Sequence, residues 1–538
     1  MFMASRKRLT IAGIFLFCAA LEIIVCWLYQ GSATSGHSQF SAERARVIHR
    51  EIFPQHPHVT GSKENASVRA AILRLLTQQG WIVEGPADGS GPDDGSGNIV
   101  AFREELRGLS TTPLVLASHF DSCATGPGAA DAGGCVSAII EAARLLMQDS
   151  RNLKRPIWLL FTDGEEQGLL GAKEFVRSHP LSLQRPFALN FDARGTSGPV
   201  VMFETHDGNY SAIHRWANHF AVPRLTGSLF TTVYKSLPNG TDFTEFRQAG
   251  WRGLNFAIID GAHRYHQPTD TLENLDSRSL QHLGDTALNV ARAIAESDED
   301  LSAPSSDAIF FDVLGQSVIC VPASWNIPIR IVLLFVAVRI YGRPLLRDKR
   351  YRDVVRVWVT MALLLPLMMG LGWVFSQSIY GSSLLPKAFV SHGHWLSLLE
   401  WIISLTICCG LMHGMLRRID GQTVWWAFWL AHAATCVVVS YFIPAFSYLL
   451  SVPAMFAIVA TLSIRSPLLR TGVVACLCGV LLIPLHHLLA IALGPANGLL
   501  LFPAFSLLAM PLLPAFACHS NFACHPDNVQ PAKTQRDF

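Results

Sequence analysis

The chain has 538 residues, half of them hydrophobic and only 15% charged, with a mean hydropathy of +0.31. That length excludes a single ordinary domain, and a wholly soluble protein of this size would carry more charge, so membrane spans are the first expectation. The net charge of +2 argues by itself neither for nor against nucleic acid, and no nucleic-acid partner is expected.

Arg6, Lys7 and Arg8 precede an apolar stretch from Leu9 to about Tyr29, long enough to cross a bilayer. The stretch exceeds the apolar core of a signal peptide, and no clear cleavage site follows beyond the weak Ala33 and Ser35 pair. An uncleaved anchor over residues 9–30 is expected, with the basic residues 1–8 in the cytoplasm. Glu22 lies inside this span, where facing another helix is the simplest account.

Residues 31–305 have globular composition. Short runs rich in Val, Ile, Leu and Phe predict strands at Asn98–Phe102, Leu114–Ser118, Ile157–Phe161, Phe187–Phe191 and Leu254–Ile259. Helical stretches such as Val136–Gln148 and Leu169–Ser178 separate them, and Gly85–Gly97 has the composition of a surface loop. Alternating strands and helices predict an α/β layered domain with a largely buried sheet.

From about Ser324 apolar runs recur near 324–341, 357–376, 395–415, 423–443, 446–464, 471–494 and 497–517. Basic residues mark alternate gaps: Arg343 to Arg356, then Arg417 and Arg418, then Arg465 and Arg470, and finally Lys533 and Arg536. With one anchor before the α/β domain and about seven transmembrane helices in 306–517, every basic cluster falls on the cytoplasmic side, together with the tail 518–538. The α/β domain then lies outside the cytosol, periplasmic or lumenal. His432, His486 and His487 sit within the spans, where helix packing and function are both open to them.

Eight of the 12 cysteines lie in apolar runs and read as small hydrophobes: Cys18, Cys26, Cys320, Cys408, Cys409, Cys436, Cys476 and Cys478. Cys123 and Cys135 lie in the globular part and could pair in an oxidising compartment. Cys518-His519 and Cys524-His525 do not match zinc-finger spacing and are read as tail.

Polar residues end several of the strands: "LVLASHFDS" carries His119 and Asp121, "LLFTDGEEQG" carries Glu165 and Glu166, and "FALNFDARG" carries Asp192. "HRYHQPTDT" adds His266 and Asp270, and "GPGAADAGGC" sets Asp131 in a glycine-rich turn that opens a helix. Sites in open α/β sheets form at the carboxyl ends of strands, so all five segments could meet in one crevice. Two imidazoles and three carboxylates suit a pair of divalent cations, Zn²⁺ and also Co²⁺ or Mn²⁺, with one carboxylate bridging ions about 3.5–4 Å apart. His119 and Asp121 share a face of their strand, so Asp121 can orient the imidazole. Taken singly, each has a blander reading. The Glu165–Glu166 pair suits a solvated helix start, Asp131, Asp163 and Asp192 suit turns or caps, and His266 suits the surface, with His263 its rival.

The order His-x-Asp, Gly-x-x-Asp, Glu-Glu-x-Gly-Leu-x-Gly, Asn-x-Asp and Tyr-His-x-x-x-Asp-Thr resembles the M28 family of co-catalytic zinc peptidases. It is similar above all to the membrane-embedded branch of endoplasmic-reticulum metallopeptidases and vacuolar membrane proteases. "ARGTSGPVVMFET" and "TDFTEFRQAG" strengthen that likeness, which covers roughly residues 98–280. The resemblance implies a three-layer αβα zinc-peptidase domain with a mostly parallel mixed sheet. It also implies two Zn²⁺, one held by His119 and Asp192, the other by Glu166 and His266, with Asp131 bridging. Glu165 would be the general base acting on metal-activated water, and Asp121 would support the catalytic centre. Tyr234 and Arg194 are the candidate substrate contacts. Ala132 departs from the family, which usually follows the bridging aspartate with an acidic or amide residue.

The function this implies is a membrane-anchored di-zinc aminopeptidase acting on peptides, its partners being peptide substrate and lipid bilayer. A carboxypeptidase or a glutaminyl cyclase of the same fold is the alternative within the family. A degenerate membrane scaffold would lack a ligand or the base, and none is missing. A transporter is the remaining reading, and no inverted repeat supports it.

Overall fold

The computed structural model describes residues 2–30, 39–84, 97–109, 112–219, 224–236, 239–380, 394–416 and 418–493. Helix α1 (Phe2–Leu28) is followed by α2 (Ala42–Ile52), α3 (Lys63–Gln78), β1 (Ile82–Glu84), β2 (Ile99–Phe102), α4 (Glu104–Arg107) and β3 (Leu114–His119). Next come α5 (Cys135–Gln148), β4 (Ile157–Thr162), α6 (Leu170–Ser178), β5 (Phe187–Ala193), β6 (Ser197–Thr205), α7 (Tyr210–His219) and β7 (Leu225–Thr226). The amino-terminal part ends with α8 (Ser228–Ser236), α9 (Asp242–Gln248), β8 (Arg252–Asp260), α10 (Ser277–Ala295), β9 (Ala308–Val313) and β10 (Ser317–Pro322).

Eight strands form one sheet in the order β1-β2-β4-β3-β5-β8-β6-β7. The central β4-β3-β5-β8 pairs are parallel, while β1-β2, β2-β4 and β8-β6 are antiparallel. The sheet is therefore mixed with a parallel centre. All five predicted strands are present, each within two residues at either end. The predicted helices are present as α5 and α6, with Leu169 a left-handed residue that precedes α6.

Strand periodicity sorts the core. In β3, Leu114 and Leu116 face α2, α5 and α10 together with Phe40, Ile48, Val136 and Leu283. Val115 and Ala117 point the other way and meet Phe175 of α6, Phe243 and Phe246 of α9, and Trp251. Helices thus cover both faces of the sheet, as its doubly apolar strands require. Helix starts are locally encoded. Ser62 Oγ accepts from the Asn65 N–H at 3.0 Å, and Thr241 forms a reciprocal cap with Thr244.

The carboxyl-terminal half is helical: α11 (Asn326–Ala337), α12 (Arg343–Arg347), α13 (Tyr351–Tyr380), α14 (His394–Leu416), α15 (Gly421–Phe442), α16 (Tyr448–Ser463) and α17 (Pro467–Leu493). Among the described residues four segments are long and apolar enough to cross a membrane, Tyr351–Ser378, Gly421–Phe442, Pro444–Ser463 and Pro467–Ala492. Shorter apolar helical stretches run over Ala12–Leu28 and Ile402–Leu416. Pro366, Pro453 and Pro484 sit inside helices and do not end them. The expected span 497–517 and the tail 518–538 lie outside the described residues, as does the predicted loop except Gly97.

The two halves share an apolar core. Val201, Ala257 and Ile259 of the sheet, Ile309 and Phe311 of β9, and Tyr448 and Leu481 of α16 and α17 belong to one buried cluster. Phe311 stacks on Tyr448 at 4.5 Å. Helix α1 packs along α17 in parallel: Gly472 lies against Thr10, and Gly479 against Phe17 and Cys18.

Candidate metal centre

Parallel pairing brings the carboxyl ends of β3, β4 and β5 to one edge. His119 ends β3 opposite Thr162 of β4, and Asp192 lies near the end of β5. The turn after β4 carries Glu165 and Glu166, the turn before α5 carries Asp131, and the loop after β8 carries His266.

The five expected ligands meet there. His119 Nε2 is 3.1 Å from Asp131 Oδ1 and 3.7 Å from Asp192 Oδ1. On the other side His266 Nε2 is 3.3 Å from Asp131 Oδ2 and 3.0 Å from Glu166 Oε2. Asp131 thus turns one oxygen to each histidine. His266 adopts a φ of 55°, the left-handed region, as its ring turns toward Asp131 and Glu166. His263, its rival in the sequence, is exposed in the turn before.

The donor set fits divalent cations. Among the described residues Asp131 Oδ2, Glu166 Oε1 and His266 Nε2 are buried without a hydrogen bond, although the first and last are within 3.3 Å of each other. Imidazole and carboxylate atoms converging on one shared space are the arrangement of ligands around an ion. His119, Asp131 and Asp192 form one such group and Glu166, His266 and Cys123 a second. The charges are strongly coupled. Burial disfavours the His119 cation, but Asp121, Asp131 and Asp192 outweigh it and raise its pKa. Burial acts to raise the Asp131 carboxyl, and the two histidines overcome it and hold it at about 2. The Asp131 and Glu166 carboxylates beside it lift His266 to about 10, while burial pushes Glu165 and Glu166 up.

A second layer holds these groups. Asp121 is fully buried, its Oδ1 3.5 Å from His119 Nδ1, and it also accepts from the Glu165 N–H at 3.1 Å and the Glu166 N–H at 3.2 Å. One carboxylate therefore sets both the imidazole and the glutamate turn. Asp270 accepts from the backbone N–H groups of Ala130 and Asp131 at 2.8 and 3.3 Å, and burial pushes its carboxyl to about 7. The Asp131–Ala132 peptide, at the departure from the family pattern, is cis.

Asp163 is more than a turn residue. It is fully buried, pairs with Arg69 at 2.5 Å, and accepts from Thr60 Oγ1 and Asn65 Nδ2 at 2.9 and 3.0 Å. Asp242 at the start of α9 is buried too, accepts from Thr162 Oγ1, and is pushed to about 7 by burial. Tyr265 stacks on His266 at 3.8 Å, and burial together with Asp131, Asp192 and Glu166 raises its phenol. The Tyr-His pair of the motif was its only signal in the sequence, and Asp242 had none beyond "TDFTEFRQAG".

Tyr234, on α8, packs against Phe203 at 4.6 Å, and burial with the Glu204 and Asp192 charges raises its phenol. Arg194 is exposed just past β5, its N–H bonded to the Ile258 carbonyl at 2.8 Å. Cys123 and Cys135 are both free thiols. Cys123 is at the rim beside Glu166 and His266 and 3.4 Å from Thr125 Oγ1, whereas Cys135 is buried at the start of α5.

Comparison with known proteins gives the family. The sequence profile of Peptidase family M28 matches residues 98–291. The chain is 29% identical over 348 residues to endoplasmic reticulum metallopeptidase 1 of Rattus norvegicus, covering 59% of this chain and 38% of that protein. It is 27% identical over 380 residues to the vacuolar membrane protease of Lachancea thermotolerans, covering 63% of this chain and 37% of the relative. The match therefore spans well under half the length of these relatives. Among solved structures, a leucine aminopeptidase precursor from Bacteroides thetaiotaomicron is 19% identical with a TM-score of 0.38, covering 47% of this chain and 98% of that one. A likeness at that level does not choose an activity. Sequence profile, relatives and apolar helices agree that this is a membrane protein whose residues 98–291 form a Peptidase family M28 domain.

Proposed function

We propose that the chain is a multi-pass, membrane-anchored di-zinc aminopeptidase that removes N-terminal residues from peptides outside the cytosol. The observation that carries this reading is the pair of donor groups on either side of Asp131, with buried donor atoms that no hydrogen bond satisfies. His119 and Asp192 would hold one ion, Glu166 and His266 the other, and Asp131 would touch both. When bound, the ions polarise the scissile carbonyl and ease deprotonation of the attacking water. Glu165 accepts that proton and delivers it to the departing amine. Asp121 fixes the backbone of both glutamates, which would leave Glu166 as ligand and Glu165 as base. Tyr234, whose phenol feels the Asp192 charge, and Arg194, two residues past Asp192, are the proposed contacts to the peptide. About seven carboxyl-terminal spans and an amino-terminal anchor would hold the domain at the membrane, a reading supported by basic residues in alternate gaps.

The test is metal content and hydrolysis of aminoacyl-p-nitroanilides by the full-length protein and Glu165→Gln. The variant is expected to keep its metal and lose about 10²–10⁴-fold in rate. A variant as fast as the parent rejects Glu165 as base, and a metal-free parent rejects the peptidase reading. Turnover of peptides blocked at the amino end favours a carboxypeptidase, and ring closure of N-terminal glutamine without hydrolysis favours a cyclase.

A further inference from the structure

Glu22 and Cys26 lie four residues apart on α1 and therefore on one face of it. That face packs against α17 where His487 projects. Glu22 Oε1 is 2.9 Å from His487 Nδ1, Cys26 Sγ is 3.7 Å from the same nitrogen, and Cys26 Sγ is 3.9 Å from Glu22 Oε1. The second carboxylate oxygen, Glu22 Oε2, is buried and has no hydrogen-bond partner among the described residues. The three residues form a metal-competent group separate from the peptidase centre.

We infer that Glu22, Cys26 and His487 form a further metal site, for zinc or a similar borderline-soft divalent cation, which ties α1 to α17. Tetrahedral zinc with bonds of about 2.0–2.3 Å to nitrogen, oxygen and sulfur separates its ligand atoms by about 3.3–3.6 Å. The three observed spacings, 2.9, 3.7 and 3.9 Å, straddle that range, so small side-chain adjustments seat an ion. The charge also balances. One carboxylate, one thiolate and one neutral imidazole cancel a divalent cation, so the loaded cluster is neutral among apolar helices. Binding releases to water the thiol proton and the proton held between Glu22 and His487, and it needs no redox partner. Thiolate and imidazole select zinc over calcium or magnesium, and Glu22 Oε2 is at hand for a fourth position.

The position gives the site a consequence. Tyr29, just past the end of α1, packs edge-on to the His487 ring at 5.9 Å and donates from its hydroxyl to Asp312 Oδ2 at 3.3 Å. Asp312 belongs to β9 and accepts from the Thr226 N–H of β7, the edge strand of the sheet that carries the peptidase centre, at 3.2 Å. An ion here clamps the first helix, the last described helix and the extramembrane domain at one point.

The experiment strips full-length protein in detergent with a chelator and reloads it with Co²⁺ alone. The readout is the near-ultraviolet thiolate-to-cobalt charge-transfer absorption, together with bound metal. The parent is expected to show the band, and Cys26→Ser to lose it with one equivalent of metal. Cys123→Ser, at the rim of the peptidase centre, is expected to keep it. Asp131→Ala, which disables the peptidase centre, is expected to retain the band and one cobalt, so the site stays testable if Cys26→Ser misfolds. No band in the parent, a band that survives Cys26→Ser, or its loss in Asp131→Ala overturns the proposal. Failure of the peptidase reading would leave all of these outcomes unchanged.

Discussion

Arg69 and Asp163 show how one residue pair supports a site it does not touch chemically. Both side chains are almost wholly buried, and Asp163 stands two positions before Glu165. Removing one member of such a pair strands the other charge in the interior, which costs about 3–5 kcal/mol. Arg69→Met is therefore expected to lower stability by that amount and to slow peptide hydrolysis, because the glutamate turn hangs from Asp163. Adding Asp163→Asn to Arg69→Met removes the stranded charge and is expected to recover part of the loss, as thermal unfolding of the two variants will show. The sequence offered Asp163 only as a turn residue. Its partner lies 94 positions away on α3, a separation no local pattern encodes.

At the scale of elements, α10 docks by close approach. Gly284 faces the ring of Phe40, and a methyl group built at Gly284 would overlap that ring. Gly284→Ala is expected to destabilise the domain by about 1–3 kcal/mol, the usual cost of overpacking. Pairing it with Phe40→Leu should return part of the loss, and a double-mutant cycle measures the coupling. The strands of the parallel centre were legible because each is buried on both faces and reads as a continuous apolar run. Strand β6 was not called as a strand from "ARGTSGPVVMFET": it begins with Ser-Gly-Pro, carries two register irregularities against β8, and includes residues that face the membrane helices. Strands β1 and β7, of three and two residues, are too short to show periodicity.

Across the whole molecule, buried neutral histidine makes stability depend on pH. Burial lowers the His206 pKa from 6.5 to about 4, and the Gly253 N–H donates to its Nδ1 at 3.0 Å. The folded state holds the ring neutral, so this contribution is complete above pH 6.5 and is lost as pH falls toward 4. The melting temperature of full-length protein in detergent is expected to drop between pH 7 and 5, and His206→Gln is expected to flatten that slope. Orientation is testable at the same scale. A compartment-sensitive reporter fused after residue 300 is expected to report the extracytoplasmic side, and a cytoplasmic signal rejects the proposed topology. The parallel packing of α1 on α17 suits that topology, since Arg6 to Arg8 and Arg465 to Arg470 lie at the same end of both helices.

What the sequence determined by itself is whatever repeats locally or ends a strand: the apolar spans, the buried parallel strands, and the polar residues that follow them. His119, Asp131, Glu166, Asp192 and His266 were legible because strand ends in a parallel sheet share one edge, so residues distant in sequence become neighbours by topology. Tertiary structure alone decided the pairings that depend on long-range packing. Asp121 acquired the glutamate turn as well as His119, and Asp163 found Arg69. Cys123 and Cys135 stayed apart, one at the rim and one under α5. Glu22, out of place on an isolated helix, met His487 across 465 residues because two apolar helices pack side by side and bring their polar groups together.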